Sequence, residues 1–169
     1  MRLFPLLLLP VVAMSSSPTS AVADPAAAPA ADATPPARTL LTWPDLTKRP
    51  RPTPDATIAY GSAPLQRGDL WRPAGRSRAP VVVMIHGGCW QTDIADRSLM
   101  DWIADDLRRD GIAVWNIDYR GVDRDGGGYP GTFTDIGKAV DQLPAIAKEY
   151  GLDSRRIVVI GHSAGGHLA

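Results

Sequence analysis

From residue 55 onward, the sequence predicts an α/β fold with a doubly wound, mostly parallel sheet. Three largely apolar runs, at residues 81–85, 113–117 and 157–160, have the continuous character of strands that are covered on both faces. Helical patterns separate these runs, and a strand–helix–strand connection places its two strands in parallel with a right-handed crossover. The sheet is therefore predicted to carry helices on both of its faces.

Two shorter strands are predicted before the first parallel strand. Residues 57–60 and 65–71 carry strand-forming side chains on either side of a Gly-Ser-Ala-Pro turn. The first crossover helix is predicted to begin at Asp96, whose carboxylate suits a helix N-cap, and to end before Gly111. Its apolar side chains recur every fourth position, at Leu99, Ile103 and Leu107.

The second crossover helix is predicted to span the region between Thr132 and Gly151. Thr132 and Asp135 fit a capping box at its start, and Gly151 fits a glycine stop at its end. Pro144 lies inside this helix and removes one backbone hydrogen bond, so a kink is expected there. A further helix is predicted from Ala164 onward.

The N-terminal third of the chain has the pattern of an exported precursor. Residues 1–23 combine an early arginine, an apolar run and an Ala-Val-Ala site before Asp24, which is the layout of a secretory signal peptide. Residues 24–54 are rich in alanine and proline and are predicted to form a linker. A folded domain is then predicted over residues 55–169, and the mature protein is expected in the periplasm or secreted.

Composition excludes several classes of partner. Lysine and arginine together number 18, as do aspartate and glutamate, so no net charge favours nucleic acid or an anionic membrane. The apolar run near the N-terminus is too short and too interrupted by proline to span a bilayer, so no stable membrane insertion is expected after cleavage. Cys89 is the only cysteine, so this chain forms no internal disulfide.

The pentapeptide at residues 161–165 predicts a catalytic serine. It reads Gly-His-Ser-Ala-Gly and follows a predicted buried strand directly, with a predicted helix after it. In this context the flanking glycines allow a sharp turn that exposes the serine hydroxyl above the sheet, at a helix N-terminus that favours negative charge. Ser163 is therefore the predicted nucleophile.

A second glycine-containing loop predicts an oxyanion hole. Residues 86–90 read His-Gly-Gly-Cys-Trp and follow the first parallel strand directly. Acyl transfer passes through a tetrahedral oxyanion, which backbone N–H groups at the carboxyl edge of the sheet can stabilise. The predicted donors are the N–H groups of Gly88, Cys89 and Ala164, the last being the residue after the nucleophile.

Together, these two motifs resemble the α/β-hydrolase superfamily. The resemblance is strongest to its H-G-G-x-W group, which includes kynurenine-formamidase-like and small carboxylesterase-like enzymes. It extends to Tyr60-Gly61, to Gln66, to residues 69–71 and to Asp118-Tyr119-Arg120, and covers residues 57–169. The resemblance implies a catalytic triad in the chain order Ser, Asp or Glu, His, of which this sequence carries only Ser163.

The resemblance implies a hydrolase that needs no metal and no cofactor and acts on a small-molecule carboxylic ester or activated amide. An exopeptidase on the same fold is an alternative, although Ala164 is small where such enzymes usually carry a bulky aromatic residue. A non-catalytic binding module, or an inactive fragment, is a second alternative. Because the fold is expected to be truncated after the nucleophile turn, this chain alone is expected to be poorly folded and inactive.

None of the three histidines is predicted to be the general base. His86 is expected to shape the oxyanion loop, and His162 to point away from the serine hydroxyl. His167 precedes the position that the family order implies for the base. Asp118 ends a strand near the site, but a structural ion pair with Arg120 or Arg124 is favoured.

Two aromatic residues are predicted to contact substrate, and one glycine motif is rejected as a cofactor site. Trp90 and Tyr129 are expected to line an acyl or aryl pocket, with burial in the core as the alternative. Residues 126–131 formally match G-x-G-x-x-G, but they do not join a strand directly to a helix, so they do not predict a dinucleotide site. A mobile loop beside the substrate entrance is expected instead.

Overall fold

A computed structural model describes residue 40 and residues 42–169. The predicted signal peptide and most of the predicted linker lie outside the described residues. Five strands run through the described part: β1 Ala56–Ala59, β2 Arg67–Trp71, β3 Ala79–Ile85, β4 Ala113–Ile117 and β5 Leu152–Gly161. The helices are α1 Trp43–Thr47, α2 Asp101–Arg109, α3 Gly131–Asp141, α4 Leu143–Tyr150 and α5 Ala164–Leu168, with a 3-10 turn at Arg97–Met100 directly before α2.

The strands form one mixed sheet in the order β1-β2-β4-β3-β5. Strand β3 pairs in parallel with both β4 and β5, whereas β1 and β2 pair antiparallel, as do β2 and β4. Each parallel connection runs through helices, α2 between β3 and β4 and then α3 and α4 between β4 and β5. The predicted α/β fold class is confirmed.

Strand β3 is buried on both faces, as its continuous apolar run predicts. Val81, Val83 and Ile85 pack in one core cluster with residues of α3 and α4. Val82 and Met84 point to the opposite face, where they pack in a second cluster with residues of α2. Alternate side chains of a strand face opposite sides of a sheet, so this arrangement shows helices on both sides.

The start of α3 differs from its prediction. The helix begins at Gly131 after Pro130, and neither Thr132 nor Asp135 forms a capping box. Both side chains are buried and make tertiary contacts instead: Thr132 Oγ1 donates to the carbonyl oxygen of Arg120 at 2.5 Å, and Asp135 accepts from the Arg120 guanidinium at 2.7 Å. The predicted kink is a full break, because α4 begins as a separate helix with proline in its first turn.

Strand β5 is longer and more exposed than predicted. Among the described residues it pairs only with β3 and forms one edge of the sheet. Its apolar residues Ile157, Val158 and Val159 are 39%, 58% and 40% exposed. None of the described helices is both long enough and apolar enough to cross a bilayer.

Candidate active site

Ser163 lies in the sharp turn that the sequence predicts. Strand β5 ends at Gly161, α5 begins at Ala164, and Ser163 between them is exposed, with φ 52° and ψ −117°. A non-glycine residue with positive φ carries about 1–3 kcal/mol of backbone strain, so surrounding contacts must hold Ser163 in this conformation. A Cβ on Gly161 would lie 2.1 Å from the carbonyl oxygen of Gly165, so only glycine fits this close approach.

The loop after β3 has an unusual backbone. Three consecutive residues have positive φ angles, Gly88 at 114°, Cys89 at 51° and Trp90 at 59°, and Gln91 N donates to the carbonyl oxygen of Gly88 at 2.8 Å. Successive backbone N–H groups in a turn conformation can form a concavity that binds an anion. Within residues 42–169, the N–H groups of Gly88 and Cys89 donate to no protein acceptor.

The loop after β3 and the turn at Ser163 lie against each other. A Cβ on Gly87 would lie 2.8 Å from the carbonyl oxygen of His162 and 3.0 Å from Ser163 Cβ. A Cβ on Gly165 would lie 2.1 Å from the carbonyl oxygen of Ile85, where β3 ends. Ala164, the first residue of α5, has an N–H group without an acceptor among the described residues. The predicted nucleophile and oxyanion donors therefore occupy one small region.

His86 anchors the loop to the core, in agreement with its predicted role. It is fully buried, with Nε2 3.3 Å from Asp118 Oδ1 and Nδ1 2.6 Å from the carbonyl oxygen of Gly87. Its ring stacks on Tyr119 at 4.4 Å, and the Tyr119 hydroxyl donates to the carbonyl oxygen of His86 at 3.0 Å. Burial, reinforced by the nearby Asp118, raises the pKa of Tyr119 to about 12, so the phenol keeps its donating proton.

Asp118 is structural, but its predicted partner is wrong. Arg97 contacts it twice: the backbone N–H donates to Oδ1 at 2.8 Å, and the guanidinium pairs with the carboxylate. The same guanidinium donates to Asp69 at 2.7 Å. Arg120 pairs with Asp135, and Arg124 pairs with acidic groups of the neighbouring loops. Arg97 belongs to a turn 21 residues earlier in the chain, so no local pattern pointed to this pair.

A cavity of about 500 Å³ opens beside Ser163. His162, predicted to point away from the serine hydroxyl, is exposed and contributes to the cavity wall. Sequence reasoning missed Ile94, Ala95 and Thr47 as parts of this site, because no motif marks them. The cavity is lined by Trp43, Thr47, Gly88, Cys89, Ile94, Ala95, Leu99, His162 and Ser163.

Trp90 and Tyr129 are not among the residues lining this cavity. Trp90 meets His167 edge-on at 5.5 Å, and Tyr129, 88% exposed, meets Phe133 at 5.9 Å. Phe133 also meets His167, at 5.7 Å, so the four rings form a row on the surface. The role of Trp90 and Tyr129 as substrate contacts stays a prediction.

The glycine-rich loop at residues 126–131 is closely packed against its own backbone. A Cβ on Gly127 would lie 1.8 Å from the carbonyl oxygen of Gly121, and a Cβ on Gly131 would lie 1.7 Å from that of Gly126. Its glycines therefore serve local chain packing. Within residues 42–169, no three histidine, cysteine or acidic side chains come together as a metal site.

A mixed sheet with helices on both faces and an exposed serine in a strand-to-helix turn after β5 defines an α/β-hydrolase fold. Comparison with known families makes the assignment more specific. Residues 69–169 match the BD-FAE family, and the chain belongs to that family.

Several similar proteins are esterases by name. A probable isoprenylcysteine α-carbonyl methylesterase of Oryza sativa subsp. japonica is 33% identical over 118 residues, which are 67% of this chain and 26% of the relative. A carboxylesterase of Mycobacterium tuberculosis is 32% identical over 133 residues, 78% of this chain and 40% of the relative.

A solved structure described as a bacterial heroin esterase superimposes with a TM-score of 0.55 at 32% identity, covering 60% of this chain and 32% of the other. The chain thus spans less than half the length of each of these proteins.

Proposed function

We propose that the intact protein is a serine hydrolase that cleaves a small-molecule carboxylic ester, or an activated amide, through an acyl-enzyme at Ser163. The observation that carries the proposal is the set of backbone N–H groups of Gly88, Cys89 and Ala164. They have no acceptor among the described residues and lie next to an exposed, strained serine. Free donors in this position suit the oxyanion of acyl transfer. The esterase names of the relatives favour the ester.

In the proposed reaction, Ser163 Oγ attacks the acyl carbon and its proton passes to a general base. The carbonyl oxygen becomes an oxyanion that accepts hydrogen bonds from the three N–H groups. The bond to the leaving alcohol then breaks, and the alcohol departs with the proton from the base. Water attacks the resulting ester of Ser163, which releases the carboxylic acid and restores the hydroxyl.

The proposal assigns the base to no residue of this sequence. His86 is buried, with Nε2 facing Asp118 and Nδ1 facing the carbonyl oxygen of Gly87, so neither ring nitrogen faces the serine. His162 and His167 are exposed, but neither hydrogen-bonds to Ser163 within the described residues. The family order of the triad places the acid and then the base after the serine.

Covalent labelling tests the nucleophile. The intact native protein should react with a fluorophosphonate at Ser163, and Ser163→Ala should abolish both labelling and turnover of p-nitrophenyl acetate. Ser62→Ala, which alters an exposed serine in the turn after β1, is the matched control and should change neither. If the Ser163→Ala protein kept more than about a tenth of the activity, Ser163 would not be the nucleophile.

We also propose that the protein is exported, on the evidence of the signal-peptide pattern in residues 1–23. Export with cleavage after Ala23 gives a mature chain that begins at Asp24. N-terminal sequencing of protein recovered from the periplasm or the medium tests this. Material outside the cytoplasm that still begins at Met1 would contradict the cleavage.

A further inference from the structure

Helix α1 contributes to the cavity beside Ser163 although it precedes the family match. That match begins at residue 69, whereas Trp43 and Thr47 of α1 line the cavity together with Ser163. The Trp43 side chain is 61% exposed, so its indole ring is not used to fill the protein core. A large apolar ring that faces a cavity and packs little against its own protein is available to a ligand.

Local contacts form α1. The backbone N–H and the hydroxyl of Thr42 both donate to Asp45 Oδ2, at 2.6 and 2.7 Å. Pro44 occupies the first turn, where its missing N–H group costs nothing. The backbone of α1 at Trp43 is therefore held by its immediate neighbours along the chain.

The segment after α1 is fastened to α2. Trp102 Nε1 donates to the carbonyl oxygen of Pro50 at 3.2 Å, and Arg51 Nε donates to the buried Asp101 at 2.5 Å. Farther along, Arg108 donates to the carbonyl oxygen of Thr53 at 3.3 Å. Three contacts with one helix fix the path of this proline-rich stretch, and they place α1 at the cavity.

The chemistry of the cavity indicates an uncharged, apolar occupant. Ile94, Leu99 and Trp43 supply large apolar surfaces, and none of the lining residues is lysine, arginine, aspartate or glutamate. A volume of about 500 Å³ is within the range of small-molecule sites and accommodates an aryl group. The cavity also contains Ser163, so its occupant must be part of the molecule whose acyl carbon the serine attacks.

We infer that Trp43 is a specificity-determining residue that binds the aryl or bulky alkyl group of the ester cleaved at Ser163. This inference rests on the proposed function and names its substrate class, an ester with one bulky apolar half. The oxyanion donors and the nucleophile belong to the family-matched region, whereas Trp43 and Thr47 add to the cavity wall from the preceding segment.

Three esters test the inference in the intact native protein: methyl acetate, methyl benzoate and phenyl acetate. Trp43→Ala should raise the KM for one of the two aryl esters by about tenfold, which is the size expected for losing a good apolar contact. It should change the KM for methyl acetate by less than about twofold. Trp43→Phe should recover most of the loss, because it restores an aromatic face. Ile103→Ala, which removes an exposed apolar side chain of α2 outside the cavity, is the matched control and should leave the KM values for all three esters unchanged.

The affected ester shows which half of the substrate lies against Trp43. Unchanged KM for both aryl esters in Trp43→Ala would overturn the inference, as would an equal loss on all three. Fluorophosphonate labelling separates this result from failure of the proposed function. If Ser163 is labelled and Trp43→Ala has no effect, only the subsite is wrong, whereas absence of labelling overturns the proposed function itself.

Discussion

The contact between the predicted oxyanion loop and the turn of the predicted nucleophile can be tested by adding one methyl group. In Gly87→Ala the new Cβ would lie 2.8 Å from both the carbonyl oxygen and Nδ1 of His162, and 3.0 Å from Ser163 Cβ. Ordinary contacts of this kind are 3.4 Å or longer, so the loop must move away from the serine by about half an ångström. Gly87 does not have a positive φ angle, so alanine is compatible with its backbone conformation.

The expected effect of Gly87→Ala is on catalysis more than on folding. A displacement of 1 Å from productive geometry can reduce rate by about a hundredfold, so half of that should reduce kcat by about tenfold. The assay is p-nitrophenyl acetate turnover by the intact native protein, with KM measured separately and thermal melting as a check on folding.

Gly137→Ala is the matched control for this substitution. Gly137 is exposed on α3, and a Cβ there would have nothing within 4 Å. It should leave turnover unchanged and stabilise the protein by up to about 1 kcal/mol, because alanine favours the helix. A folded Gly87→Ala protein with kcat within twofold of wild type would refute the assignment of this loop to the reaction.

Three further predictions concern stability and association. Arg97→Met leaves two buried carboxylates without their cation and should lower the free energy of unfolding, measured by urea titration, by about 3–5 kcal/mol. Arg67→Met, which changes an exposed arginine, should not lower it. An Arg97→Met protein as stable as the wild type would contradict the buried network. Burial outweighs the Arg51 contact and raises the pKa of Asp101 to about 6, so the wild type should lose stability as pH rises from about 4 to about 6, and Asp101→Asn should lack this loss. Residues 24–169 alone should self-associate through the exposed edge of β5, and Val158→Lys should reduce this; a monomeric chain with a cooperative melt would contradict it.

The sequence by itself predicted the parts of this protein that depend on neighbours along the chain. Strand β4 has the predicted bounds, residues 113–117, because a largely apolar run between Gly111 and Asp118 indicates its burial and its approximate length. Gly151 ends α4 in a left-handed conformation, as expected of a glycine stop. The turn at Ser163 was also predicted, because a G-x-S-x-G motif between a strand and a helix specifies the backbone conformation of the turn.

Tertiary structure decided which distant groups meet. Thr132 and Asp135 match a helix cap locally, but Arg120 binds both, since buried tertiary hydrogen bonds replace the solvent-exposed alternatives. Asp118 pairs with Arg97, which arrives from a turn on another element. Trp43 lines the same cavity as Ser163 although the two residues are more than a hundred positions apart, because the segment after α1 is bound to α2. Local patterns specify backbone conformation, whereas pairing of charges and closure of cavities depend on distances that exist only after the sheet and its helices have packed.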